Sequence, residues 1–188
     1  MKLFLASLGI TNKLAPSFKL LLKRNRHSRA TPKGYIIENA SDYKGREKQL
    51  ELHQYYEILK NHGLDYDFLD LKIYRDQIDK LKTKLDSADL IYISGGNIFY
   101  LYYWVIESGL DKIIKNQTKE GLVYAASSAG SVIAGPTLKY LDLADNTEIS
   151  PEPTKIKWKG LNLVDFVILP HWEEKKYQSR FNTIKRNL

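Results

Sequence analysis

The sequence predicts an α/β protein, a three-layer sandwich around a mostly parallel sheet. Three observations lead there. Short apolar runs of strand character alternate with longer runs of helical periodicity over the 188 residues. Several of the apolar runs read as buried strands, as expected for a sheet covered on both faces. Two of them, Asp89 to Ile93 and the run opened by Gly121, pass directly into loops of serine, glycine and alanine. No internal repeat or low-complexity tract interrupts the pattern, and the length with 43% hydrophobic residues suits one domain over residues 1–188.

Taken in order, Leu3 to Gly9 reads as a buried strand ending in a loop. Leu20 to Leu22 is a leucine run leading into a basic segment, and Pro32 and Gly34 punctuate the chain before a strand at Tyr35 to Ile37. Ser41 to Gly45 is polar and loop-like. From Arg46 to Asn61, Leu50, Leu52, Tyr55, Tyr56, Ile58 and Leu59 recur at helical spacing, with Gly63 as a stop; His53 lies on this helix and His62 just after it, placed to cap its end. Tyr66 to Leu71 alternates like a strand, and Ile78, Leu81 and Leu85 mark a helix ending near Ser87. The strand Asp89 to Ile93 runs into Ser94-Gly95-Gly96-Asn97, and Tyr100 to Ile114 reads as an aromatic-rich helix broken around Ser108-Gly109. A further buried strand is expected over Val164 to Pro170, followed by a helix whose face carries Tyr177, Phe181, Ile184 and Leu188.

Composition narrows the function classes. There is no cysteine, which removes disulfide frameworks, thiolate metal sites and cysteine nucleophiles. The formal net charge of +7 is spread over Lys19 to Arg29, Lys155 to Lys159 and Lys175 to Arg186. No zinc-finger spacing, basic zipper or RNA-binding signature accompanies it, so nucleic acid is not expected as a partner. The apolar start is too short for a membrane span and lacks a convincing cleavage site, so the expected protein is cytoplasmic, with no membrane partner.

The chemistry concentrates at Gly121 to Gly135, which reads as a buried strand turning sharply into a helix with a serine at the corner. A nucleophile at such a turn needs small residues two before and two after it, because strand and helix backbones nearly touch. Ser128 has Ala126 and Gly130 in those places; Ser127 has Ala125 and Ala129; Ser131 has Ala129 and the bulky Ile133. Ser128 is therefore the candidate, in an Ala-x-Ser-x-Gly variant of the nucleophile elbow. The same small residues could also simply pack a helix close to a strand, or bind an anion with their amides. The tandem glycines at Gly95-Gly96 allow close backbone approach or serve only as a turn. Both loops follow strands of a parallel sheet, so they open on the same edge, where ligands of such sheets bind.

A serine hydroxyl needs an adjacent base, usually histidine, oriented by a carboxylate. Of the four histidines, only His171 is expected at the carboxyl end of a strand. The acid is open among Asp142, Asp145, Glu148 and Glu152, all between the elbow and His171.

Three segments, taken together, resemble the aspartyl dipeptidase (dipeptidase E) and cyanophycinase group of serine peptidases: Ile91-Tyr-Ile-Ser-Gly-Gly-Asn97 with Phe99, Ser128-Ala-Gly-Ser-Val-Ile-Ala-Gly-Pro136, and Gly160-Leu-Asn-Leu-Val-Asp-Phe-Val-Ile-Leu-Pro-His171. The resemblance implies a class I glutamine amidotransferase-like (flavodoxin-like) fold and hydrolysis of short peptides through an acyl-enzyme, without metal or other cofactor. It implies Ser128 as nucleophile, His171 as base, the amides of Gly96 and Ala129 as oxyanion donors with Asn97 beside them, and Asp145 rather than Asp142 as the acid. The chain departs from the group in two ways. It ends soon after His171, so a shortened member is expected, and a defective relative that only binds, or an acyl hydrolase of another kind, are the alternatives. The arginine that reads an aspartyl side chain in the group has no assigned position here; Arg180 is a candidate counterpart, and specificity for N-terminal aspartate does not follow from the resemblance. Domains of this sort often pair, so a homodimer is compatible with the fold, although no interface is legible in the residues.

Overall fold

The computed structural model describes residues 1–23 and 26–188; within the second helix it describes the backbone throughout but not the side chains of residues 46, 48–52, 54 and 55. Five parallel strands, β1 (Lys2–Ala6), β2 (Lys33–Ile37), β3 (Asp65–Phe68), β4 (Leu90–Ile93) and β5 (Val123–Ser127), form one sheet in the order β1-β5-β4-β2-β3. The helices are α1 (Ala15–Leu22), α2 (Arg46–Asn61), α3 (Ile78–Asp86), α4 (Ile98–Glu107), α5 (Leu110–Lys119), the single turn α6 (Ala129–Val132) and α7 (Lys175–Asn187). This is the expected three-layer α/β architecture. None of the described helices is long and apolar enough to cross a membrane.

The strands sort their side chains strictly by parity. Tyr35, Ile91 and Tyr124 lie in register across β2, β4 and β5 and face the larger core with α3 to α7. Their neighbours Ile36, Tyr92 and Ala125 face the other way, against Phe18 and Leu22 of α1 and Tyr56 and Leu59 of α2. Both faces of the central strands are thus apolar, which is why these segments read as continuous hydrophobic runs. Tyr56 and Leu59 take their expected places on α2, whereas Leu50, Leu52 and Tyr55 lie outside the described side chains. His62 is the residue that caps α2, its amide bonded to the carbonyls of Ile58 and Leu59. The aromatic helix divides where expected: Gly109 takes φ +77 between α4 and α5, where a side chain would also strike Ile78. Helix α1, entered through Pro16, has only the leucine run as its trace in the sequence.

One expected strand is absent. Residues Val164 to Pro170 belong to no strand, and Phe166 is 57% exposed. The reason lies just upstream, where Gly160 to Val164 spend their amides on the turn after α6: Leu161 donates to the Ile133 carbonyl, Asn162 to Gly135, and Leu163 and Val164 to Ala134. The segment is drawn across the end of α6 instead of along the sheet, so β1 pairs with β5 on one side and is the outer strand of the sheet on the other.

Beyond the end of β2, Glu38 is buried, with one carboxylate oxygen 2.9 Å from His53 Nε2 and the other without a hydrogen-bond partner of good geometry among the described residues. Burial raises its pKa, partly opposed by His53. A carboxyl raised on folding stays protonated in the folded chain over a pH range in which the unfolded chain has already released its proton. Stability from this group is therefore greatest below the unfolded value and falls as pH rises from about 4 through the folded value. The urea midpoint of Glu38→Gln should lack this decline relative to the wild type; parallel pH profiles would contradict it. Tyr124 offers a second check, because its buried hydroxyl donates to the Gly130 carbonyl at 2.6 Å. Tyr124→Phe should lose about 1–3 kcal/mol in the same titration, by leaving that carbonyl unpaired.

Candidate active site

The strand–helix corner forms as the spacing of small residues requires. Ser128 stands between β5 and α6 with φ +46 and ψ −113, a conformation that non-glycine residues rarely adopt. It is held there by its own amide, which donates to the Ala6 carbonyl at 3.0 Å, and by two glycines packed without room to spare. A Cβ on Gly130 would lie 2.4 Å from the Ile93 carbonyl oxygen, and one on Gly95 would lie 2.9 Å from the Ser128 Cβ. The rival serines serve the fold: the Ser131 hydroxyl donates to Ala6 O at 2.8 Å, and Ser127 is buried as the last residue of β5.

The structure brings His171 to Ser128, with Nε2 3.0 Å from Oγ. His171 does not follow a strand; it is reached through the irregular segment described above. It has φ +61, and its amide donates to the Ser7 hydroxyl at 2.7 Å, just beyond β1. The other histidines lie elsewhere: His27 bonds through its amide to Asp89, His53 faces Glu38, and His62 ends α2.

Asp145 is not the carboxylate beside this imidazole. Its Oδ2 accepts the Ile98 amide at 2.6 Å, and its Oδ1 accepts the Asn97 side chain at 2.7 Å and the Asn146 amide at 2.9 Å. Free amides and the dipole at the start of α4 attract a carboxylate, and Asp145 is used there. Burial pushes its carboxyl pKa up, with these donors and Lys44 acting in the opposite direction. Asn97 is equally committed: it caps α4 by accepting the Tyr100 amide at 2.8 Å and is almost fully buried, so its side chain is not open to a ligand. Asp142 and Glu148 are exposed, and Glu152 pairs with Lys155 at 2.7 Å.

The carboxylate at His171 is Glu174. Its Oε1 lies 2.8 Å from Nδ1, an ion-pair distance, but stands off the direction of the ring N–H, so no aligned hydrogen bond forms. Lys176 sits 2.9 Å from the other oxygen and lowers the Glu174 pKa, an effect to which His171 adds, so the group remains a carboxylate at neutral pH. The Glu174 amide also donates to the His171 carbonyl at 2.9 Å. Imidazole and carboxylate thus share one turn at the start of α7, and the Tyr177 ring of that helix lies 5.8 Å from the imidazole. The cue in the sequence was the spacing of His171 and Glu174, which places both on one turn; a search confined to residues before the histidine passes over it.

The amides of Gly96 and Ala129 donate to no backbone acceptor among the described residues. Gly96 has φ +151, and a Cβ there would meet the Ala40 carbonyl at 2.1 Å, so the loop admits glycine alone. Gly96, Ser128 and His171 line two cavities. The larger, about 460 Å³, opens over the loops that follow β1, β2, β4 and β5. The smaller, about 100 Å³, lies toward Ala129, Leu141, Asp145 and Phe181. Arg180, named above only as a counterpart of the arginine that reads an aspartyl side chain, is exposed on α7 and lines neither.

Comparison with known proteins identifies the family of the chain. The model of peptidase family S51 matches residues 9–188. An uncharacterized peptidase of Listeria monocytogenes is 35% identical over 109 residues, 58% of this chain and 52% of that protein. Peptidase E of a Nostoc species is 31% identical over 115 residues, 61% of this chain and 43% of that one. The matched stretches span about half the length of these relatives. A crystal structure of a provisionally named peptidase E from Listeria monocytogenes EGD-e superposes with a TM-score of 0.78 at 28% identity, covering 100% of this chain and 87% of that one. A peptidase structure from an acI-B1 Actinobacterium shares the fold at a TM-score of 0.73 and 19% identity. Since the family match takes in the corner serine, the glycine loop and the histidine on which the geometry converges, the chain belongs to peptidase family S51.

Proposed function

We propose that the protein is a serine peptidase of short peptides that acts through an acyl-enzyme. The observation that carries this reading is the 3.0 Å contact between Ser128 Oγ and His171 Nε2, made by a serine held at positive φ on a strand–helix corner. The strained turn lifts the hydroxyl out of the sheet edge toward both cavities, and the imidazole stands where it can take the hydroxyl proton.

In the first step Ser128 Oγ attacks the peptide carbonyl as its proton passes to His171 Nε2. The amides of Gly96 and Ala129 are the donors available to the oxyanion, rigid before the reaction because the glycine loop is wedged against Ala40 and the Ala129 amide opens α6. The imidazolium then returns the proton to the leaving amine, and water repeats the sequence to free the acyl group. Glu174 takes the acid's place by steadying the imidazolium from the Nδ1 side. It is 41% exposed and off the N–H axis, so solvent screens it and its contribution is smaller than that of a buried, aligned aspartate. That same off-axis contact favours one second reading, a binding protein with a slow or silent triad.

Incubation with a mixed dipeptide and tripeptide library, with release of free amino acids followed by mass spectrometry, tests the proposal. Wild-type protein should release amino acids, and Ser128→Ala should lower kcat by roughly 10,000-fold or more. Equal rates in the two would overturn the reading. An active-site phosphonate should label Ser128 in the wild type and not in His171→Ala; absence of labelling in well-folded wild type would favour the silent triad. Glu174→Gln should lower kcat by about 3- to 5-fold with KM nearly unchanged, whereas Asp145→Asn should lower thermal stability through the α4 cap. An intact kcat in Glu174→Gln would remove Glu174 from the mechanism.

A further inference from the structure

The two cavities that meet at Ser128 differ in charge as well as size. Among the described residues lining the larger one, Lys44 is the formally charged side chain apart from His171, set among Leu8, Ile10 and Ile58. In the smaller cavity that place is taken by Asp145, within walls that include Leu141, Leu169 and Phe181. A carbonyl over Ser128 Oγ therefore has a cationic flank on one side and an anionic flank on the other. We propose that these flanks are subsites for the two ends of a short, unblocked peptide. The Asp145 side receives the free α-ammonium and a small first side chain, and the Lys44 side receives the α-carboxylate of the leaving residue.

This rests on the peptidase reading of the site and adds its polarity and substrate class. Two features support it besides the signs of the charges. Three donors hold the Asp145 carboxylate in place, so its field is fixed before a ligand arrives, and a carboxylate so occupied still attracts an ammonium group through its charge. The smaller cavity, about 100 Å³ against about 460 Å³, favours a small first side chain. A first-position aspartate would bring a second carboxylate against Asp145, and Arg180 is not there to compensate. The preference proposed is thus for small N-terminal residues over N-terminal aspartate.

Binding to the inactive variant separates this inference from the catalytic one. Calorimetric titration of Ser128→Ala with Ala-Leu, Ala-Leu-amide, N-acetyl-Ala-Leu and Asp-Leu should show Ala-Leu bound most tightly, with each of the others weaker by about 5- to 10-fold. Adding Lys44→Met should weaken Ala-Leu by that factor and leave the amide unchanged. Asp-Leu bound as tightly as Ala-Leu, or equal losses for acid and amide in Lys44→Met, would overturn the proposal, as would no binding of Ala-Leu at all. Wild-type turnover of the same peptides is the separate readout: the binding pattern without turnover would sink the peptidase reading alone, and turnover without the pattern would sink the polarity alone.

Discussion

The contact on which the site depends is the approach of the α6 backbone to the end of β4, where Gly130 lies against the Ile93 carbonyl with no space for a methyl group. This closeness bends the chain sharply enough for Ser128 to leave the sheet at positive φ. It is stabilised on three sides: the Ser128 amide and the Ser131 hydroxyl both reach the Ala6 carbonyl of β1, the Tyr124 hydroxyl reaches the Gly130 carbonyl, and Gly95 fits under the Ser128 side chain. Positive φ for a serine costs of order 1–3 kcal/mol, so it survives only where surrounding contacts leave the chain no alternative. Here those contacts come from three adjacent parallel strands.

A parallel sheet makes such convergence natural, because all its strands end on one edge. The loop after β1 supplies Ser7 for the His171 amide, the loop after β2 supplies Lys44 and the Ala40 carbonyl against which Gly96 is wedged, and β4 and β5 supply the glycine loop and the corner serine. The imidazole is the exception. It arrives on a segment that bonds to the turn after α6, and it is kept in position by the helix that follows: Glu174 across one turn, and a stack of Tyr177, Phe181 and Trp172 along α7. The imidazole is therefore held from outside the sheet, by local turn geometry and aromatic packing.

The use of Asp145 at α4 shows how one carboxylate can be claimed by the backbone. The first amides of α4 lack helical partners, and Asp145 satisfies the Ile98 amide while Asn97 satisfies that of Tyr100. Together they tie the glycine loop to the Asp145–Asn146 turn, since the Asn97 amide group also donates to the Asn146 carbonyl at 2.8 Å. The loop that presents Gly96 is thereby tied down at both side-chain ends of Asn97, and a carboxylate comes to rest in the lining of the smaller cavity.

By itself the sequence determined the layered α/β architecture, since apolar periodicity and strand–helix alternation depend on local spacing alone. It also determined the corner serine among three candidates, because the size of residues two places away is a local steric filter. The choice of His171 followed from its late position after an apolar run, although that run, Val164 to Pro170, is not a strand: hydrophobicity does not say which amides a segment will find, and these found α6. Likewise Asp145 and Glu174 are both acids near the right elements in the sequence. Only the tertiary structure decided that one closes a helix and the other faces the imidazole, because unpaired backbone amides and a 2.8 Å approach exist only once the elements have packed.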